Sequence, residues 1–131
     1  LAGRVRLLGY VPDAELPALY SGARCFAFPS LAEGFGRPCV EAMACGVPVV
    51  ASGATALPET CRDAALLPDA GDEAAIAGAL RAACFDDAVR GRLVEAGKKR
   101  AGEFTAERFA AGLLRAFASA LAGPGEGLWR G

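Results

Sequence analysis

Short apolar runs alternate with amphipathic stretches along most of this chain. Residues 5–8 (Val-Arg-Leu-Leu) read as a short buried strand closed by Gly9. Asp13 then stands as an N-cap, with Leu16, Leu19 and Tyr20 on one helical face. Residues 25–28 form a second apolar run, stopped by Pro29. From Pro38 to Cys45, Val40, Met43, Ala44 and Val47 recur at i, i+3, i+4 and i+7, which predicts a helix ended by Gly46. Residues 47–51 are continuously apolar, as in a strand buried on both faces. A Gly/Ala/Thr loop with a short turn at Pro58-Glu59 leads to a weaker strand at residues 64–67. Three helices follow. Asp72 caps one carrying Ile76, Ala79, Leu80 and Ala83, and Asp86 or Asp87 caps one carrying Val89, Leu93 and Ala96. Thr105 caps the last, with Phe109, Leu113, Phe117 and Leu121 at every fourth position. The Gly/Pro-rich residues 123–131 read as a loose tail, which leaves one domain over residues 1–122.

Strands alternating with helices call for parallel strands and crossover helices. The expectation is an α/β fold, a Rossmann-like parallel sheet of about four strands with a helical C-terminal segment. In such sheets ligands sit beyond the carboxyl ends of the strands. The loops 30–37 and 52–60 both leave such ends and so share one candidate site.

Composition narrows the chemistry. The 131 residues are 53% apolar and carry a net charge of −1, which argues against disorder and against global recruitment of nucleic acid. There is no histidine, so the usual neutral-pH acid/base and any Ser-His-Asp arrangement are excluded. The cysteines at 25, 39, 45, 61 and 84 include no Cys-x-x-Cys pair; they read as reduced, mostly buried thiols, and no metal site is expected. No signal peptide or membrane-length apolar stretch is visible, and the first residue is not Met, so a piece of a longer chain is expected, cytoplasmic or working at a membrane surface.

The densest chemistry lies at residues 29–50. A helix start exposes unpaired N–H groups and about half a unit of positive charge. Gly34, Phe35, Gly36, Arg37 and Pro38 enter this helix with no Ser, Thr, Asp or Asn cap, so the amides are open either to an anion such as phosphate or to water. The glycines permit close backbone approach, and Arg37 would add a cation. Glu33 and Glu41 flank the loop. Carboxylates repel phosphate, so their better use is to accept hydrogen bonds from sugar or ribose hydroxyls. Ser52, Thr55, Thr60 and Glu59 are secondary candidates in the second loop. Lys98-Lys99-Arg100 reads as an exposed helix face, and Trp129 as either a packing residue or a base-stacking one.

The run Leu8-Gly9-Tyr10-Val11, Glu15 to Tyr20, Ala27-Phe28-Pro29-Ser30, Glu33-Gly34-Phe35-Gly36 through Glu41-Ala42, Gly46 to Ala51 and Leu57-Pro58-Glu59 resembles the retaining glycosyltransferases of family 4, over about residues 5–118. That resemblance implies part of a GT-B C-terminal, donor-nucleotide-binding domain. It implies that Glu33 contacts the donor sugar in the catalytic site, that Glu41 binds ribose hydroxyls, and that the amides around residues 35–38 hold the diphosphate or the sugar. The implied reaction moves a glycosyl group from a nucleotide sugar to an acceptor with retention, using no metal or other cofactor. A nucleotide-sugar epimerase of the same architecture and a non-catalytic nucleotide-binding module are the alternatives. A Rossmann dehydrogenase is disfavoured by the lack of a Gly-x-Gly-x-x-Gly fingerprint. Phe104-Thr105-Ala106 departs from the family's Phe-Ser-aromatic pattern.

The resemblance also implies upstream strand–helix units bearing a basic pair, and a separate acceptor-binding domain. Without those units the strand at residues 5–8 would face a gap in the sheet. The expectation is closure by direct pairing with the strand at 25–28, or by strand exchange with a second copy.

Overall fold

The computed structural model describes residues 3–121. The chain divides into two compact units, Leu1–Ala101 and Gly102–Gly131, where the sequence suggested one domain over 1–122. The tail expected at 123–131, with Trp129, lies outside the described residues.

Unit 1 is built on a parallel sheet of three strands in the order β1-β2-β3: β1 Phe26–Phe28, β2 Val49–Ala51 and β3 Ala65–Leu66. Side chains alternate across β2. Val49 and Ala51 enter a core with Cys39, Ala42, Met43, Leu57 and Cys61. Val50 points the other way, to Ala83 and Leu93. All three β2 residues are buried, which the unbroken apolar run required.

Helices cover the two faces. On the first lie α1 (Leu16–Ser21), α2 (Arg37–Ala44) and the short α3 (Leu57–Cys61), which continues into a 3-10 turn, Arg62–Ala64. α4 (Glu73–Phe85) and α5 (Asp87–Ala101) follow β3. The Gly46 stop on α2 holds: its N–H donates to Met43 O (3.0 Å) and Val47 N–H to Ala42 O (3.0 Å), with φ +73° at Gly46. Asp72 caps α4 by accepting from Ala75 N–H (2.9 Å), and Asp86 caps α5 by accepting from Ala88 and Val89 (3.0 Å each). In unit 2, Thr105 caps α6 (Ala106–Leu121) through Arg108 N–H (3.3 Å).

Several expectations need correction. Residues 5–8 are not a strand; Val5 and Leu7 are 62% and 93% exposed, and this segment pairs with nothing among the described residues. A strand is held by a neighbour's backbone, and among the described residues β1, an edge strand, pairs with β2 alone. The expected direct pairing with β1 does not occur. The cap position of α1 is Glu15, not Asp13, and no side chain caps it. Pro58-Glu59 lies in a helix rather than an isolated turn. Arg100 is 8% exposed, unlike the exposed Lys98 and Lys99. Its Nε donates to Thr60 O (2.8 Å) and its Nη2 to Glu59 O (2.9 Å), so it caps the C-terminal carbonyls of α3.

Candidate donor-binding site

The loop 29–36 leaves the carboxyl end of β1 and turns into α2 at Gly36, whose φ is +83°. A Cβ there would overlap Leu57 Cδ2, so the turn demands glycine on two counts. As the sequence suggested, no side chain caps α2. Arg37 is the first helical residue and Pro38 the second. Pro38 has no N–H, and Cys39 N–H turns back to Gly36 O (3.0 Å). Neither Pro38 nor Cys39 therefore offers a free N–H at this helix start. Gly34 and Phe35 are exposed on that loop.

Glu33 is half-buried and fixed from three directions. Its Oε1 accepts from Ser30 Oγ (2.9 Å), its N–H donates to Thr55 Oγ1 (2.9 Å), and its carbonyl accepts from the Thr55 hydroxyl (3.1 Å). Thr55 sits at φ +50°, a conformation costly for a β-branched residue, and its paired bonds to Glu33 hold it there. Thr55 thus ties the second loop to the first.

Glu41 lies in the second turn of α2 and faces α1. Arg37 Nε donates to its Oε1 (2.7 Å) and the Tyr20 hydroxyl to its Oε2 (3.3 Å). Arg37 is therefore engaged with Glu41 through Nε, while its side chain stays largely exposed. Burial, followed by the Glu41 charge, pushes the Tyr20 phenol above its ordinary value and keeps it a donor. Glu41 opens on a cavity of about 290 Å³ between α1 and α2, lined also by Asp13, Leu16, Pro17, Tyr20 and Arg37. Glu33 is not part of its lining. The two glutamates are thus held by separate neighbours: one on the inter-loop bridge, one on the α1–α2 cavity.

The remaining candidates divide. Ser52 is 1% exposed and its hydroxyl donates to Ser30 O, so it clamps the loop that carries Glu33. Thr60 is buried beneath Arg100. Glu59 is exposed in the first turn of α3. Sequence reasoning missed Ser30 and Tyr20 as partners of the two glutamates. Ser30 is three residues before Glu33, a spacing that suggests a local side-chain bond. Tyr20 is 21 residues from Glu41, and no local signal joins them.

Comparisons with known proteins bear on the family and the fold. The family model for glycosyl transferases group 1 matches residues 1–100. The O-antigen chain mannosyltransferase B of Escherichia coli is 64% identical over 50 residues, 38% of this chain and 13% of that protein. The D-inositol 3-phosphate glycosyltransferase of Salinispora arenicola is 37% identical over 123 residues, 92% of this chain and 28% of that protein. The structure of sucrose-phosphate synthase from Thermosynechococcus elongatus superposes with a TM-score of 0.80 at 31% identity, over 92% of this chain and 31% of that one. The chain spans less than a third of the length of each of these relatives. Matching sequence over residues 1–100, together with the matching GT-B fold, places this chain in the glycosyl transferases group 1 family.

Proposed function

We propose that this chain forms the donor-binding wall of a retaining glycosyltransferase that moves a sugar from a nucleoside-diphosphate donor to an acceptor. The observation that carries the reading is the uncapped start of α2 at Gly36, set between two carboxylates that are each held in place. Backbone amides at the entry to α2 receive the diphosphate. Glu41 accepts from the ribose hydroxyls in the α1–α2 cavity, and Glu33 accepts from hydroxyls of the transferred sugar. As the glycosidic bond to phosphate breaks, negative charge grows on the leaving diphosphate. Amide dipoles aimed there bind that charge more strongly in the transition state than in the ground state. The nucleotide sugar is the substrate, and the reading calls on no resident cofactor. It places the work in the cytoplasm, where nucleotide sugars are available, with the acceptor bound outside these residues. The named activities of the relatives support transfer over epimerisation or simple nucleotide binding.

The test is calorimetry of the full-length protein against nucleotide sugars and free nucleoside diphosphates. Glu41→Gln is expected to weaken both ligands by about tenfold to a hundredfold, the worth of hydrogen bonds to a charged acceptor. Glu33→Gln is expected to weaken only the nucleotide sugar. Equal loss of free diphosphate in both variants would refute the division of roles. Anomeric NMR of the product checks retention.

A further inference from the structure

Glu41 is a carboxylate with about four lone-pair sites. Arg37 Nε takes one site on Oε1 and the Tyr20 hydroxyl one on Oε2. One site on each oxygen remains, the arrangement that a pair of adjacent hydroxyls needs. The two donors come from different elements. Arg37 is one turn away on α2, with its side chain 78% exposed. Tyr20 belongs to α1, and its ring is wedged edge-on against Phe26 of β1 at 5.4 Å between centroids. Of the two, Tyr20 has its ring anchored on the sheet, so it carries the position of β1 to the Glu41 carboxylate.

We propose that Tyr20 is a positioning residue that sets the Glu41 carboxylate to accept both hydroxyls of a ribose, and so makes the site discriminate ribonucleotides from 2′-deoxyribonucleotides. Tyr20 lies outside the stretch from Glu33 to Glu41, and its hydroxyl acts on the nucleotide's sugar through Glu41. Its phenol stays protonated, since burial and the Glu41 charge both raise its pKa, and it remains a donor throughout the neutral range. The inference rests on the reading of Glu41 as the ribose acceptor.

The test uses the full-length protein, with GDP, UDP and ADP and their 2′-deoxy counterparts as probes in calorimetry. Wild type is expected to prefer the ribo form of the base it binds. Tyr20→Phe keeps the ring against Phe26 and removes only the hydroxyl. It is expected to weaken the ribo ligand by about fivefold, one hydrogen bond's worth, and the deoxy ligand, which keeps only the 3′-hydroxyl, by clearly less. Glu41→Ala serves as the reference and should abolish the preference. If Glu41→Ala abolishes it and Tyr20→Phe does not, the positioning role is wrong while the ribose reading stands. Equal weakening of ribo and deoxy ligands by Tyr20→Phe, a purely structural effect, also overturns it. If wild type shows no preference, if Glu41→Ala leaves it intact, or if no diphosphate binds, the ribose reading fails and this inference with it.

Discussion

At the scale of single residues, Gly36 decides whether the helix start exists in usable form. Its positive φ and the nearness of Leu57 both forbid a side chain. Gly36→Ala is expected to destabilise unit 1 by about 1–3 kcal/mol from backbone strain alone, with the displaced Leu57 adding to that. Urea unfolding measures the loss. An unchanged midpoint would mean that the loop relaxes out of the left-handed region. The glycine was legible as a loop residue in the sequence, but Leu57 as its neighbour was not. Likewise Glu33 and Glu41 were visible by their spacing and by the cap missing between them. Their partners Thr55 and Tyr20 lie 22 and 21 residues away along the chain. Such pairs are made by folding, and no periodicity encodes them.

At the scale of elements, helix patterns were read well and strand patterns less so. The caps of α4, α5 and α6 follow from one side chain bonding an amide two or three residues on, which is local chemistry. The run at residues 5–8 has the same apolar character as β1, yet only β1 finds a neighbour among the described strands. A strand is completed by its partner, so composition cannot settle it. Arg100 shows the converse error. Beside two lysines it looked like a solvated face, but it turns inward to the carbonyls of Glu59 and Thr60 and ties α5 to α3. α5 reaches that position because Gly97 lies against Met43 of α2, where a Cβ would come within 3.2 Å of Met43 Cγ. Arg100→Met keeps the apolar stem and removes the donors. It is expected to cost about 2–4 kcal/mol, since buried carbonyls lose charged partners. Thermal melting checks this, and a loss below about 0.5 kcal/mol would show that water replaces the guanidinium.

At the scale of the whole molecule, apolar surface is exposed in both units. Val5, Leu7 and Tyr10 are exposed in unit 1, and Phe109, Leu114 and Phe117 in unit 2. Isolated apolar residues are normal on surfaces, but runs like these mark contact sites. Residues 1–131 expressed alone are therefore expected to self-associate, and strand exchange through residues 5–8 is one route. Sedimentation velocity across a concentration series measures this, and a strictly monomeric species at high concentration would contradict it. Among the described residues no helix is long and apolar enough to cross a membrane.

The sequence by itself determined the helices α2, α4, α5 and α6, the caps of the last three, the Gly46 stop, the parallel α/β class and the uncapped loop between two glutamates. These features depend on residues within a few positions of each other, where spacing and side-chain chemistry act directly. Tertiary structure decided which apolar runs became strands, that Arg100 is buried, and that Arg37 is paired with Glu41. It also decided that one glutamate is held by the second loop and the other by Tyr20. Each of those outcomes depends on a partner brought close by packing, and the physical cause is the neighbour rather than the residue.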